Sequence, residues 1–131
     1  MKLLKGMILL MLSISLFGLY GCKNGNGDVS YKQITAEEAK TIMDTEKEYV
    51  IIDARTQSEF AQGHIKNAIL IPEYEIAERA ENEIPNKDTL ILVYCRSGRR
   101  SKIASEELVK LGYTNVKEFG GIIDWPYEIV K

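Results

Sequence analysis

Cysteine is scarce in these 131 residues: there are two, Cys22 and Cys95. Two thiols cannot supply the disulfide framework that staples many small exported folds. Histidine is scarcer still, with His64 alone. One histidine and one free thiol make no ligand set, so no metal is expected, and no other cofactor. Excess positive charge is missing too. Lys and Arg number 17 against 19 Asp and Glu, a formal net charge of −2. That balance gives no reason to expect nucleic acid as a partner. Long apolar runs are also few. The one at residues 7–20 has 14 residues, too short to span a bilayer as an ordinary helix.

What is present begins with that run. Lys2 and Lys5 precede it, and Gly21-Cys22 follows. A basic stretch, an apolar stretch and small residues make an export signal. Leu19, Tyr20, Gly21 and Cys22 resemble a bacterial lipobox, with Tyr20 bulkier than the usual residue there. The resemblance implies cleavage before Cys22 and acylation of that cysteine. A plain secretory signal or an uncleaved anchor is the alternative. Each places the rest of the chain outside the cytoplasm, on the periplasmic or cell-surface side of a bacterial membrane. Losing residues 1–21 removes two lysines and no acid, which moves the net charge from −2 to −4. Residues 22–30, with Gly25 and Gly27 between asparagines, read as a flexible tether. Residues 31–131 read as the folded domain, expected to be a monomer and long enough to bury a core without staples.

Within it, short apolar strands alternate with helical segments. Strands are expected at 31–34, 49–54, 68–71, 89–94 and 115–119. Thr35 and Glu38 form a capping-box pair that opens a helix with Ala39, Ile42 and Met43 inward. Residues 58–63 hold one helical turn. A helix over 74–84 is expected to bury Ile76, Ala77, Ala80 and Ile84. Another over 99–112 is expected to bury Ile103, Ala104, Leu108 and Leu111. This alternation indicates an α/β layered fold with a mostly parallel sheet. Such sheets bind ligands at the carboxyl ends of their strands. Asp53, Arg55, Glu73 and Cys95 fall at those ends.

Cys95 follows the most apolar strand and leads through Arg96, Ser97 and Gly98 into a helix starting near Arg99. The first amides of a helix lack internal partners and can cradle an anion. Arg96, Arg99 and Arg100 add charge, with some of them facing solvent. These features favour a thiolate, a persulfide anion or an anionic donor at Cys95, in a bowl open to small ions. The alternative is that Cys95 is a small core residue beside a solvated helix start.

Three segments, in order, resemble the rhodanese-like domains. They are "VIIDARTQSEFAQGHIKNAILIP" (50–72), "VYCRSGRRS" (93–101) and "GGIIDW" (120–125). The resemblance covers residues 31–131. It implies a five-stranded, mostly parallel sheet with helices on both faces. It also implies that Cys95 is a nucleophile taking a sulfane sulfur from a small anion such as thiosulfate. A thiol or cyanide then accepts that sulfur. The family's six-residue loop falls on Cys95, Arg96, Ser97, Gly98, Arg99 and Arg100.

Asp53 and Arg55 are expected to share hydrogen bonds near the loop, with Glu59 placed to pair with Arg55; the resemblance makes these supports of the site. His64 is open to two readings, general base or scaffold residue. Trp125 reads as packing at the core or rim, and Gly120 and Gly121 as a turn after the last strand. Two other functions remain. One is a cysteine-dependent phosphatase or arsenate reductase, which favours arginine six positions after the cysteine, where this chain has Ser101. The other is a sulfur carrier or binding module with a protein partner.

Overall fold

The computed structural model describes residues 30–131. The expected export signal, Cys22 and all but the last residue of the expected tether lie outside the described residues. The strands are β1 (Lys32–Gln33), β2 (Val50–Asp53), β3 (Ile69–Leu70), β4 (Ile91–Cys95) and β5 (Val116–Gly121). They form one sheet in the order β1-β5-β4-β2-β3, every pairing parallel. Helices α1 (Ala36–Thr45), α2 (Gln57–Gln62), α3 (Ile76–Glu83) and α4 (Arg99–Lys110) cover it. The structure therefore has the five-stranded α/β architecture expected.

Alternation along the strands divides the core in two. Ile52, Val93, Cys95 and Val116 pack with Ile76, Ala80, Ala104 and Leu108 of α3 and α4. Ile51, Leu92, Tyr94 and Phe119 face the other way, toward Ala39, Ile42 and Met43 of α1 and toward Phe60. Buried on both faces, β4 has no charged residue.

Two helices open with capping boxes. Thr35 and Glu38 bond reciprocally at α1, and Thr56 and Glu59 do so at α2. The segment 74–84 departs from expectation. A 3-10 turn at Glu73–Glu75 precedes α3, and Ala77 is exposed while Ile76, Ala80 and Ile84 are buried. In α4 the buried residues are Ser101, Ala104, Ser105 and Leu108; Ile103 and Leu111 are half-buried at the margin.

The largest departures lie at the sheet's carboxyl edge. Cys95 is the last residue of β4 and does not lie beyond it. Gly120 and Gly121 belong to β5 and do not form a turn after it. Between the pairs Val93–Glu118 and Cys95–Gly121, β5 carries one residue more than β4. This bulge is absorbed at Gly120, whose φ of 88° suits glycine.

Candidate functional site

The Cys95 side chain projects toward α4 from the central strand. Residue 95 is 1% exposed, so its thiol is covered and does not lie in an open bowl. The cause is the extra residue of strand: ending β4 at position 95 puts the thiol in the same inward row as Ile91 and Val93. The chain then folds back over it. Gly98 donates its N–H to Cys95 Sγ at 3.0 Å. Gly98 has a φ of 114° and sits at the helix N-cap, where no side chain caps α4. The amide end of α4 is thus turned toward the sulfur. Arg96, Ser97 and Arg99 are exposed on the outside of the loop.

The loop is held from behind by β5. A Cβ at Gly121 would stand 1.9 Å from the Arg96 carbonyl oxygen, so only glycine fits there. Ile123 N–H donates to the same oxygen at 3.2 Å.

Arg100 is half-buried and forms a two-pronged bond to Glu59, at 2.7 and 2.9 Å. Glu59 therefore pairs with Arg100 and not with Arg55 as expected, because the N-terminal turns of α2 and α4 meet. The Arg100 hydrogen bonds, with those from Thr56, outweigh burial and hold the Glu59 carboxyl down at about 2. Arg100 is raised in turn, first by Glu59's hydrogen bond and more weakly by the charges of Glu59, Cys95 and Glu73. Its cation reaches the thiol's field but is shared with a carboxylate.

Asp53 and Arg55 do share hydrogen bonds, but on the opposite face of the sheet from Cys95. Asp53 is fully buried and its carboxylate meets Arg55 Nε and Nη2 at 2.7–3.2 Å. Tyr94 donates its hydroxyl to Asp53 at 2.6 Å and accepts the Ile65 N–H at 3.0 Å. Burial first, then the Asp53 charge, pushes the Tyr94 phenol far up, so it remains a donor. Arg55 also donates to the Gly63 carbonyl at 2.7 Å. This network ties β2, β4 and the segment after α2 together beside the site.

His64 stacks on Phe60 with ring centroids 3.7 Å apart. Its Nδ1 lies 2.9 Å from the Phe60 carbonyl oxygen, and its backbone bridges to Val130. These contacts fix the ring to α2 and the C-terminal segment. Trp125 is half-buried against Phe119 and Tyr127. Among the described residues no group of His, Cys, Asp and Glu is placed to hold a metal ion.

Sequence reasoning missed Glu118. It lies on β5, 2% exposed, on the same face as Cys95. Its Oε2 accepts from Ser101 Oγ at 2.5 Å and from Gly120 N–H at 3.0 Å. Ser101 is fully buried, and its Oγ lies 3.4 Å from Cys95 Sγ. The signal was in the strand's period of two, since Glu118 follows the inward Val116 by two residues.

Residues 35–126 match the Rhodanese-like domain family. The chain belongs to this family. Among its relatives is the thiosulfate sulfurtransferase PspE of Escherichia coli (strain K12), 41% identical over 80 residues, which are 61% of this chain and 77% of that one. The putative sulfur carrier protein YrkF of Bacillus subtilis (strain 168) is 33% identical over 97 residues, 73% of this chain and 51% of that one. A solved rhodanese with anions from E. coli superposes with a TM-score of 0.60 at 38% identity, covering 63% of this rhodanese-like chain and 98% of the other.

Proposed function

We propose that this rhodanese-like protein is a sulfurtransferase that carries sulfane sulfur as a persulfide on Cys95. The observation behind the reading is the placement of Cys95 Sγ at the end of the central strand, 3.0 Å from the Gly98 N–H at the head of α4. The relatives named as a thiosulfate sulfurtransferase and a sulfur carrier support the same class of chemistry.

In the first step the Cys95 thiolate attacks the outer sulfur of a donor such as thiosulfate. A new S–S bond forms, the old one breaks, and sulfite leaves with its electron pair. Amides at the head of α4 and the loop cations Arg96, Arg99 and Arg100 stabilise charge on the sulfurs. In the second step a thiol or cyanide attacks the outer sulfur of the persulfide, and the Cys95 thiolate returns. Because Cys95 is covered, its surroundings must shift to admit a donor. Asp53, Arg55, Glu59 and His64 act as supports of the fold around this step.

The lipobox-like residues before Cys22 support export and a lipid anchor on Cys22 at the outer side of a bacterial membrane. The protein works there as a tethered monomer, on small anions and not on nucleic acid. The phosphatase or arsenate reductase reading loses ground at Ser101. The position where an oxyanion-clamping arginine would sit holds Ser101, a neutral hydroxyl bonded to Glu118. A carrier that hands its sulfur to a protein draws on one feature: Ile123, 58% exposed, is bonded to the Arg96 carbonyl beside the loop.

Steady-state kinetics with thiosulfate and cyanide test the proposal. Parallel double-reciprocal lines that vanish in Cys95→Ser are expected. Intersecting lines, or full activity in Cys95→Ser, would overturn it. Persulfide formation with feeble turnover would favour the carrier.

A further inference from the structure

Glu118 is an anomaly that the sulfur-transfer steps do not use. It is a carboxyl group 2% exposed in a strand otherwise apolar on that face. Its bonded partners are the Ser101 hydroxyl, the Gly120 amide and, at 3.4 Å, the Gln33 side-chain amide. None of these is a cation. A carboxylate buried without a cation is electrostatically costly, and a neutral carboxyl in the same place is less so.

The nearest proton that could reach it is the one on Cys95. Ser101 stands between the two, with Oγ 2.5 Å from Glu118 Oε2 and 3.4 Å from Cys95 Sγ. The Ser101 hydroxyl has one proton and three acceptors in range. The carboxylate is closer than the Gly98 carbonyl at 3.0 Å or the Gly120 carbonyl at 3.4 Å, and it is charged, so it takes the bond. The Ser101 lone pairs are then free to accept from the thiol.

We propose that Glu118 is the base for Cys95, drawing the thiol proton through the hydroxyl of Ser101. The S–H bond breaks as a new O–H bond forms on Ser101. The original Ser101 O–H bond breaks as its proton passes to Glu118 Oε2. One negative charge moves from carboxylate to sulfur and no atom is gained or lost. Both hydrogen bonds reverse their direction, so Ser101 finishes as a donor to the thiolate, alongside the Gly98 N–H. The cluster carries one charge in either state, which avoids two buried anions side by side. The inference rests on Cys95 being the sulfur-carrying nucleophile.

Several charged or titratable groups face the cluster. Tyr31, just before β1, has its phenol raised by burial, then by Glu106 and Glu118. Arg100 of α4 feels Cys95, Glu59 and Glu73. All of them are retained in the variants below.

The test follows the rate of Cys95 alkylation by iodoacetamide against pH in the full chain, read by mass on the peptide containing Cys95. Glu118→Gln keeps the shape and removes the base. The relay predicts that its profile moves up by about one pH unit, a roughly tenfold slower reaction at neutral pH. Ser101→Ala is expected to do the same. If Glu118 were only a buried anion near the thiol, its removal would move the profile down, and that result or an unmoved profile would overturn the proposal. Should either variant fail to fold, the wild type decides. Infrared and ultraviolet titrations must show a protonated carboxyl and a thiolate present together; a carboxylate persisting beside the thiolate overturns the relay. If the wild type shows the relay yet gains no sulfur from thiosulfate, the sulfurtransferase reading alone has failed.

Discussion

Arg100 shows how one side chain is divided between two tasks. Its guanidinium is bound to Glu59 on two atoms, and its charge still acts on Cys95. Arg100→Ala is therefore expected to slow Cys95 alkylation at neutral pH by a few-fold, less than the relay variants; a rate equal to wild type would contradict the charge's role. The same pair sets an acid limit. The Arg100 hydrogen bonds hold the Glu59 carboxyl down at about 2 in the folded protein, from an ordinary value of 4.5, so its contribution is present above about pH 4.5 and fades as pH falls toward 2. Glu59→Gln should flatten that part of a stability–pH curve at a cost of about 1 kcal/mol near neutrality, measured by urea unfolding. On the other face of the sheet, Asp53→Ala would strand the buried Arg55 cation. A loss of about 3–5 kcal/mol is expected there, read by denaturation, and a loss below 1 kcal/mol would show that the cation finds another partner. The residues of this network were visible in the sequence as charges after a strand. Their pairing was not, because Arg55 and Arg100 each have more than one carboxylate within reach, and only the approach of α2 to α4 assigns Glu59.

At the scale of elements, the loop depends on a strand with no side chain at one point. Gly121 lies opposite Cys95, against the Arg96 carbonyl. Gly121→Ala must push β5 and the loop apart, an overpacking cost of about 3 kcal/mol, seen as a lowered thermal midpoint. A variant as stable as wild type would show that the loop yields freely. Patterns of local origin were legible. The capping box at Thr35 and Glu38 announced α1, and apolar strand runs announced β2 and β4. The second capping box, Thr56 with Glu59, is the same local signal and opens α2 one residue ahead of the turn expected at 58–63. Ala77 is exposed because the buried row of α3 runs through Ile76, Ala80 and Ile84 at intervals of four, and position 77 lies beside that row. The β5 bulge had no local signature. A Gly-Gly pair suits a turn as well as a strand, and the pairing with β4 decides which.

For the whole molecule, three spaced motifs made the family and its sheet readable, while the cover over Cys95 depends on how strand, loop and helix close together. The proposed lipid anchor falls on Cys22, after the lipobox-like residues 19–21. Cys22→Ser is expected to release the protein from the membrane fraction on cell fractionation, and retention there would contradict a lipid anchor. The central claim, that Cys95 takes on one sulfur, is tested most directly by intact mass of the full chain after incubation with thiosulfate. The account predicts the added mass of one sulfur atom, removed by cyanide and absent from Cys95→Ser. No added mass on the wild type, or the same addition on Cys95→Ser, would contradict it.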